Sequence, residues 1–197
     1  MKLIALLITY IFINNFILVQ FMGLCPFIGV SKNSESAIGM GLAVTFVTAV
    51  SSVVCYLVYY YLLAPFSLEY LQTVVFILVI ASLVQVVERF IRVTSPSLYK
   101  ALGIYLPLIT TNCIVLGISI ININEKYDLL ESFTASIAAG LGFTLVIILM
   151  SNIRERLELS DVPKAFRGLP IVFITAGLMA LAFMGFDRAI IDNLHLA

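Results

Sequence analysis

The chain has 197 residues, of which 62% are hydrophobic and 11% charged, and its formal net charge is zero. Soluble domains carry about 25% charged residues, so this composition excludes a water-facing globular surface and points to an integral membrane protein. With no basic tail or charge block, nucleic-acid binding has no support either.

Charged residues leave six uncharged runs: Leu3–Ser31, Ser36–Leu68, Tyr70–Val87, Ala101–Asn124, Ser132–Ile153 and Gly168–Phe186. Each can hold the ~20 residues of a spanning helix, with Tyr70–Val87 near the lower limit. The spacing predicts an all-α integral membrane protein of six transmembrane helices, a single membrane domain over residues 1–197. The sizeable loops are Glu88–Lys100 and Asn152–Arg167.

The first run far exceeds the roughly 7–15 apolar residues of a signal peptide, and no small-x-small cleavage site follows, so it reads as a retained span. As one straight helix it would be about 43 Å long, against a hydrocarbon core of ~30 Å. It must tilt, protrude or break, and Gly23 and Pro26 mark a break. Proline favours the first helical turn, where its missing N–H costs nothing. This predicts Pro26 at the start of a short second helix and Cys25 at its N-cap.

The second run carries Ile38-Gly39-Met40-Gly41 near its start. A Gly-x-Gly there lies in an apolar helix with no soluble strand before it, which reads as close helix packing and not a dinucleotide loop. Cys55, further along, has no break around it and reads as packing. The third run ends at Glu88-Arg89. An acid within the membrane would suggest an ion path, but Glu88 is expected at the interface.

The fourth run repeats the logic of the first. Thr111-Asn112-Cys113-Ile114-Val115-Leu116-Gly117 shares Cys-x-x-x-Gly with Gly23-Leu24-Cys25-Pro26-Phe27-Ile28-Gly29. Pro107 disturbs the helix, and Thr110, Thr111 and Asn112 can satisfy freed backbone groups. Asn112 is a good N-cap, which puts Cys113 in the first turn of a new half-helix. In the fifth and sixth runs, Ala139-Gly140-Leu141-Gly142 and Val172-Phe173-Ile174 echo Ile38-Gly39-Met40-Gly41 and Val75-Phe76-Ile77. Landmarks in the same order divide the chain into repeats of about residues 1–92 and 98–190. Three spans per repeat is an odd number, so the two lie in opposite orientations. Such inverted repeats place sites near the midplane at discontinuous helices, here helices 1 and 4.

Lys and Arg counts set the orientation. Loops one, three and five hold eight: Lys32, Arg89, Arg92, Lys100, Arg154, Arg156, Lys164 and Arg167. The other side holds Lys2, Lys126 and Arg188. The first side is expected to be cytoplasmic, with both termini outside.

A thiol at a helix N-terminus feels the positive end of the dipole, which favours the metal-ligating thiolate. A buried cysteine taken singly reads as a small hydrophobe. The repeated pair beside matched breaks weighs toward ligation. A [2Fe–2S] cluster or a tetrahedral iron takes four such ligands, so Cys25 and Cys113 would need two more from another chain. The one histidine, His195, is near the end, reads as a surface residue, and excludes a bis-histidine haem within this chain.

Asn14-Asn15-Phe16, the stretch Leu18-Val19-Gln20-Phe21-Met22-Gly23-Leu24-Cys25-Pro26-Phe27-Ile28-Gly29-Val30-Ser31-Lys32 and Leu106-Pro107-Leu108-Ile109-Thr110-Thr111-Asn112-Cys113 resemble the A subunits of the Rnf complex. So do Ser160-Asp161-Val162-Pro163 and Phe173-Ile174-Thr175-Ala176-Gly177-Leu178-Met179-Ala180. That family belongs to the ion-translocating ferredoxin:NAD oxidoreductase, related to the sodium-translocating NADH:quinone reductase. The resemblance implies a homologous partner of opposite topology in a bacterial or archaeal cytoplasmic membrane. It implies that Cys25 and Cys113, with two partner cysteines, hold an intramembrane [2Fe–2S] cluster or single iron. Electrons would cross there between cytoplasmic iron–sulfur and flavin subunits and outer covalent-flavin subunits. The Ser/Thr-rich attachment motif of those flavin subunits is missing, so no flavin is expected on this chain.

Asn14, Asn15, Thr110, Thr111 and Asn112 are candidate hydrogen-bond donors to cluster sulfur, or plain caps of broken helices. The Arg154–Arg167 stretch reads as a solvated turn; the alternative is a docking site for a cytoplasmic subunit. A competing function is a secondary transporter on the same inverted-repeat plan. A purely structural membrane subunit is a third.

Overall fold

The computed structural model describes residues 2–31, 33–66, 69–94, 112–160, 163 and 166–194. Their regular structure is helical throughout. The elements are α1 (Lys2–Ile8), α2 (Leu24–Val30), α3 (Ser34–Val58), α4 (Gln72–Thr94), α5 (Cys113–Asn124), α6 (Leu129–Glu158) and α7 (Leu169–Leu194). Wider π turns extend α1 over Thr9–Ile13 and α3 over Tyr59–Leu63, and a short 3₁₀ turn, Glu69–Leu71, precedes α4. Among the described residues, three helices are long and apolar enough to cross a bilayer: Ser34–Leu63, Gln72–Arg89 and Leu129–Glu158. Shorter apolar helices lie at Leu3–Ile13, Cys113–Asn124 and Leu169–Gly185. Thus helical structure lies in each of the six uncharged runs, and the first run is interrupted, as its length requires. Residues 101–111, where the break around Pro107 is expected, lie outside the described residues.

The helix ends follow local chemistry. Asp128 opens α6 with a capping box: its side chain takes the backbone N–H of Glu131, whose carboxylate takes the Asp128 N–H at 3.3 Å. No proline falls within α6, which runs 30 residues. Arg154 and Arg156, expected in a solvated turn, are therefore helical. Helix α4 likewise continues past Glu88, which is half-buried within it and not at its end.

Helices α3 and α6 form an antiparallel central pair. Ser34 lies beside Ser151 at one end, and Ser52 donates to the Ser132 carbonyl at the other. Between them the contact reads the same from either helix. A Cβ on Gly41 would lie 2.5 Å from Thr144 Cγ2, and one on Gly140 would lie 2.6 Å from Thr45 Cα. The Thr45 and Thr144 hydroxyls stand 3.3 Å apart, and each donates to the carbonyl of the glycine four residues back, at 2.8 Å. Small residues here let two backbones approach closely, the usual device of helix packing in lipid. The contact pairs Gly41 with Gly140, two residues from the sequence alignment of Gly39 with Gly140. Gly142 instead admits α1: its Cβ would lie 2.9 Å from the Tyr10 carbonyl. The third landmark does not match by environment, since Phe76 is buried and Phe173 is 52% exposed.

Polarity runs inside out relative to a soluble protein. Thr48, Ser51, Ser52, Ser119, Asn122, Ser132 and Ser136 are buried, whereas Leu42, Phe46, Leu78, Val86, Leu178 and Leu181 face outward. Asn122 ties α5 to both central helices, donating to Ser52 Oγ at 2.9 Å and to Ser136 Oγ at 3.2 Å. In hydrocarbon the outward apolar side chains need no cover, and inward polar groups must find partners within the protein.

Candidate functional site

The break in the first run is built around Asn15. Helix α1 ends in its π turn, where the Asn14 N–H reaches the Thr9 carbonyl at 2.6 Å. Residues 14–23 then follow no regular helix. Irregular backbone at membrane depth needs protein partners for its polar groups. Asn15, fully buried, supplies them: Nδ2 donates to the carbonyls of Ile11 and Gly142, both at 3.1 Å, and Oδ1 accepts from the Ile17 N–H at 3.1 Å. Both amide hydrogens are thereby engaged within the chain, holding this irregular segment. Phe16, Ile17 and Leu18 plug the core from within the irregular segment.

The segment returns to helix through Gly23, whose φ of 85° lies in the left-handed region open to glycine. Gly23 is the N-cap of α2, and the first backbone bond runs from Phe27 N to the Gly23 carbonyl at 3.3 Å. This corrects the sequence expectation. Leu24 opens the half-helix, Cys25 is its second residue and Pro26 its third. The shift costs nothing, because Pro26 still falls among the first four positions, whose N–H groups have no intrahelical partner.

At the second site the expectation holds. Asn112 is the N-cap of α5, and its Oδ1 accepts the Ile114 N–H at 3.2 Å. Cys113 is the first helical residue. Thr110 and Thr111 lie outside the described residues.

The N-termini of α2 and α5 meet. A Cβ on Gly23 would lie 3.3 Å from Asn112 Oδ1 and 3.4 Å from both Ile114 Cδ1 and Phe143 Cε2. Gly117, one turn into α5, makes room for Met22, whose sulfur would lie 2.6 Å from an added Cβ. Cys25 and Cys113 thus sit two residues and one residue beyond caps that touch, and both are exposed on the surface of the chain. Cys55 is buried in α3 and packs in the core, as expected. Among the described residues no three His, Cys, Asp or Glu side chains gather into a metal site.

Asn112 is buried beside this joint. It is 4% exposed, and Nδ2 has no hydrogen-bond partner among the described residues. Its Oδ1 is committed to an N–H donor, so the orphan is the amide's donor end. A buried N–H donor without an acceptor is costly, about 1–3 kcal/mol. Asn14, by contrast, is exposed and lines an apolar groove of about 710 Å³ shared with Leu18, Phe21, Gly177 and Leu181.

One participant escaped the sequence reading. Arg154 Nη1 donates to the Ile28 carbonyl at 2.9 Å and to Ser31 Oγ at 2.8 Å, at the far end of the half-helix that carries Cys25. The available signal was its place, as the first charge after the apolar fifth run.

The model of the family described as "Rnf-Nqr subunit, membrane protein" matches residues 3–190. The chain belongs to the Rnf-Nqr membrane-subunit family. It is 59% identical over 187 residues, 95% of this chain and 97% of the relative, to the A subunit of the Na(+)-translocating ferredoxin:NAD(+) oxidoreductase complex of Acetobacterium woodii. It is 60% identical over 181 residues, 92% of this chain and 94% of the relative, to the A subunit of the ion-translocating oxidoreductase complex of Shewanella amazonensis. The same-named protein from Vibrio campbellii is 57% identical over 183 residues, 93% of this chain and 95% of the relative. A-type relatives thus match nearly the full length of this Rnf-Nqr chain, in keeping with the resemblance carried by Asn14-Asn15 and Cys25-Pro26.

Proposed function

We propose that this chain is the A-type membrane subunit of an ion-translocating ferredoxin:NAD oxidoreductase complex, and that Cys25 and Cys113 supply half the ligands of an intramembrane iron–sulfur centre. The observation that carries the reading is the meeting of two half-helix N-termini through Gly23 and Asn112, with an exposed cysteine in the first turn of each. The donor set fits iron. Sulfur ligands on adjacent N-termini would hold their negative charge against the positive ends of two helix dipoles, and Asn112 Nδ2, without a partner among the described residues, offers a hydrogen bond to sulfur. A [2Fe–2S] cluster or single iron held there would supply one-electron chemistry within the bilayer.

The chain's own residues hold and orient. Asn15 fixes the irregular segment to α6, Gly23 and Asn112 set the spacing of the N-termini, and the core behind them excludes water. Two ligands are too few for either centre, and both thiols face outward. A homologous subunit of opposite topology, contributing two further cysteines at this surface, completes the set. The antiparallel Gly41–Thr144 and Gly140–Thr45 contacts support two inverted three-helix repeats. We place six spans across the membrane with both termini outside, from the Lys and Arg bias.

The test is ferredoxin:NAD+ oxidoreduction in membranes carrying the whole complex. Cys25→Ser and Cys113→Ser are expected to abolish it, and Cys55→Ser to retain it. Activity surviving in either of the first two removes that residue from the electron path.

A further inference from the structure

Helix α2 has seven residues, too few to persist as an isolated helix. Its placement, and that of Cys25 in its first turn, depends on what grips its ends. The N-terminal grip is Gly23 against Asn112. The C-terminal grip is Arg154. Ile28 is among the last four residues of α2, so its carbonyl has no partner within the helix. Arg154 Nη1 takes that carbonyl at 2.9 Å and also Ser31 Oγ at 2.8 Å. Ser31 is the C-cap and is fully buried. The residue that reaches across belongs to α6, the helix to which Asn15 also ties the other side of the break through the Gly142 carbonyl at 3.1 Å. One long helix therefore holds both flanks of the interrupted segment.

Arginine stays protonated at every accessible pH. A fixed cation at a helix C-terminus complements the dipole. Ser31 lies six residues beyond Cys25, about 9 Å at the helical rise. At that range a full charge acts on an electron arriving near Cys25.

We propose that Arg154 is a positioning residue for Cys25 and the fixed positive charge that raises the reduction potential of the centre Cys25 serves. The proposal rests on the reading that Cys25 is a ligand. It makes Arg154 more than a structural clamp, because its charge favours the reduced state while its two hydrogen bonds fix where the thiol stands.

The experiment uses the purified whole complex with Arg154→Gln, Arg154→Lys and Cys25→Ser. Arg154→Gln is expected to keep its iron and to lower the midpoint potential of the centre. Each tenfold loss in the one-electron equilibrium reads as 59 mV. Arg154→Lys restores the charge and is expected to bring the potential back toward that of the unmodified complex. An unchanged potential in Arg154→Gln with iron retained overturns the electrostatic role. A centre that survives Cys25→Ser with its spectrum unchanged overturns the underlying ligand assignment, and the potential claim with it.

Should Arg154→Gln fail to assemble, Ser31→Ala tests positioning while keeping the charge. It is placed in a chain whose Cys55 and Cys113 are replaced by alanine, so that no centre forms. Maleimide labelling of Cys25 in membranes is expected to quicken several-fold when Ser31 loses its hydroxyl. Equal rates overturn the positioning role.

Discussion

Gly23 and Asn112 are the joint between α2 and α5: a Cβ at Gly23 would lie 3.3 Å from Asn112 Oδ1. Each residue caps the half-helix that carries a candidate ligand. The caps are separated by nearly half the sequence, yet their contact sets where both cysteines stand. The consequences of this joint can be tested one residue at a time.

Asn112 does two jobs with two atoms, and a suitable substitution separates them. Asn112→Ser keeps a capping oxygen but removes the Nδ2 donor. Its cost in stability is expected to be small, since serine and asparagine cap about equally well. Its effect is expected instead on the centre, whose midpoint potential falls when a hydrogen bond to sulfur is lost. Asn112→Ala removes both and is expected to lose about a further 1 kcal/mol of stability. Thermal denaturation and redox titration of the purified complex read the two effects apart.

The α3–α6 crossing predicts an asymmetry between its two glycines. A methyl group on Gly41 meets the Thr144 side chain, its Cβ included at 2.9 Å, whereas one on Gly140 comes within 2.6 Å of the Thr45 Cα itself. Overpacking costs about 1–3 kcal/mol. Gly140→Ala is expected at the upper end and Gly41→Ala at the lower end, measured as the loss of thermal stability in detergent. Equal losses would contradict this ranking.

The orientation is accessible to labelling. Lys126 and Glu158 lie near opposite ends of α6, and both are exposed. Lys126→Cys and Glu158→Cys therefore report on the two sides of the membrane. A membrane-impermeant maleimide added to intact cells is expected to label the first and spare the second. The reverse pattern would invert the proposed topology.

Much of the fold was legible because lipid imposes simple rules. Runs without charge had to become helices, and a 29-residue first run with Gly23 and Pro26 inside it had to break. The Asn112 cap was legible because asparagine before an apolar helical run has one dominant use. The boundaries were less so. Gly23 takes the cap ahead of Cys25 because a left-handed φ favours glycine, and Pro26 tolerates any early position. The glycine pairing slipped by two residues, since Gly39, Gly41, Gly140 and Gly142 offer two registers and only packing chooses between them. Arg154 was hidden for another reason. Its partners, Ile28 and Ser31, are over 120 residues away, and no local pattern announces a bond to a backbone carbonyl.

The central claim is that Cys25 and Cys113 are both ligands of one intramembrane centre. Reduced-state EPR of the purified complex, read beside its iron and acid-labile sulfide content, tests it most directly. Cys25→Ser and Cys113→Ser are each expected to lose or alter the same signal and to lower iron, with the other subunits still present. A signal and an iron content unchanged in either variant would contradict the account.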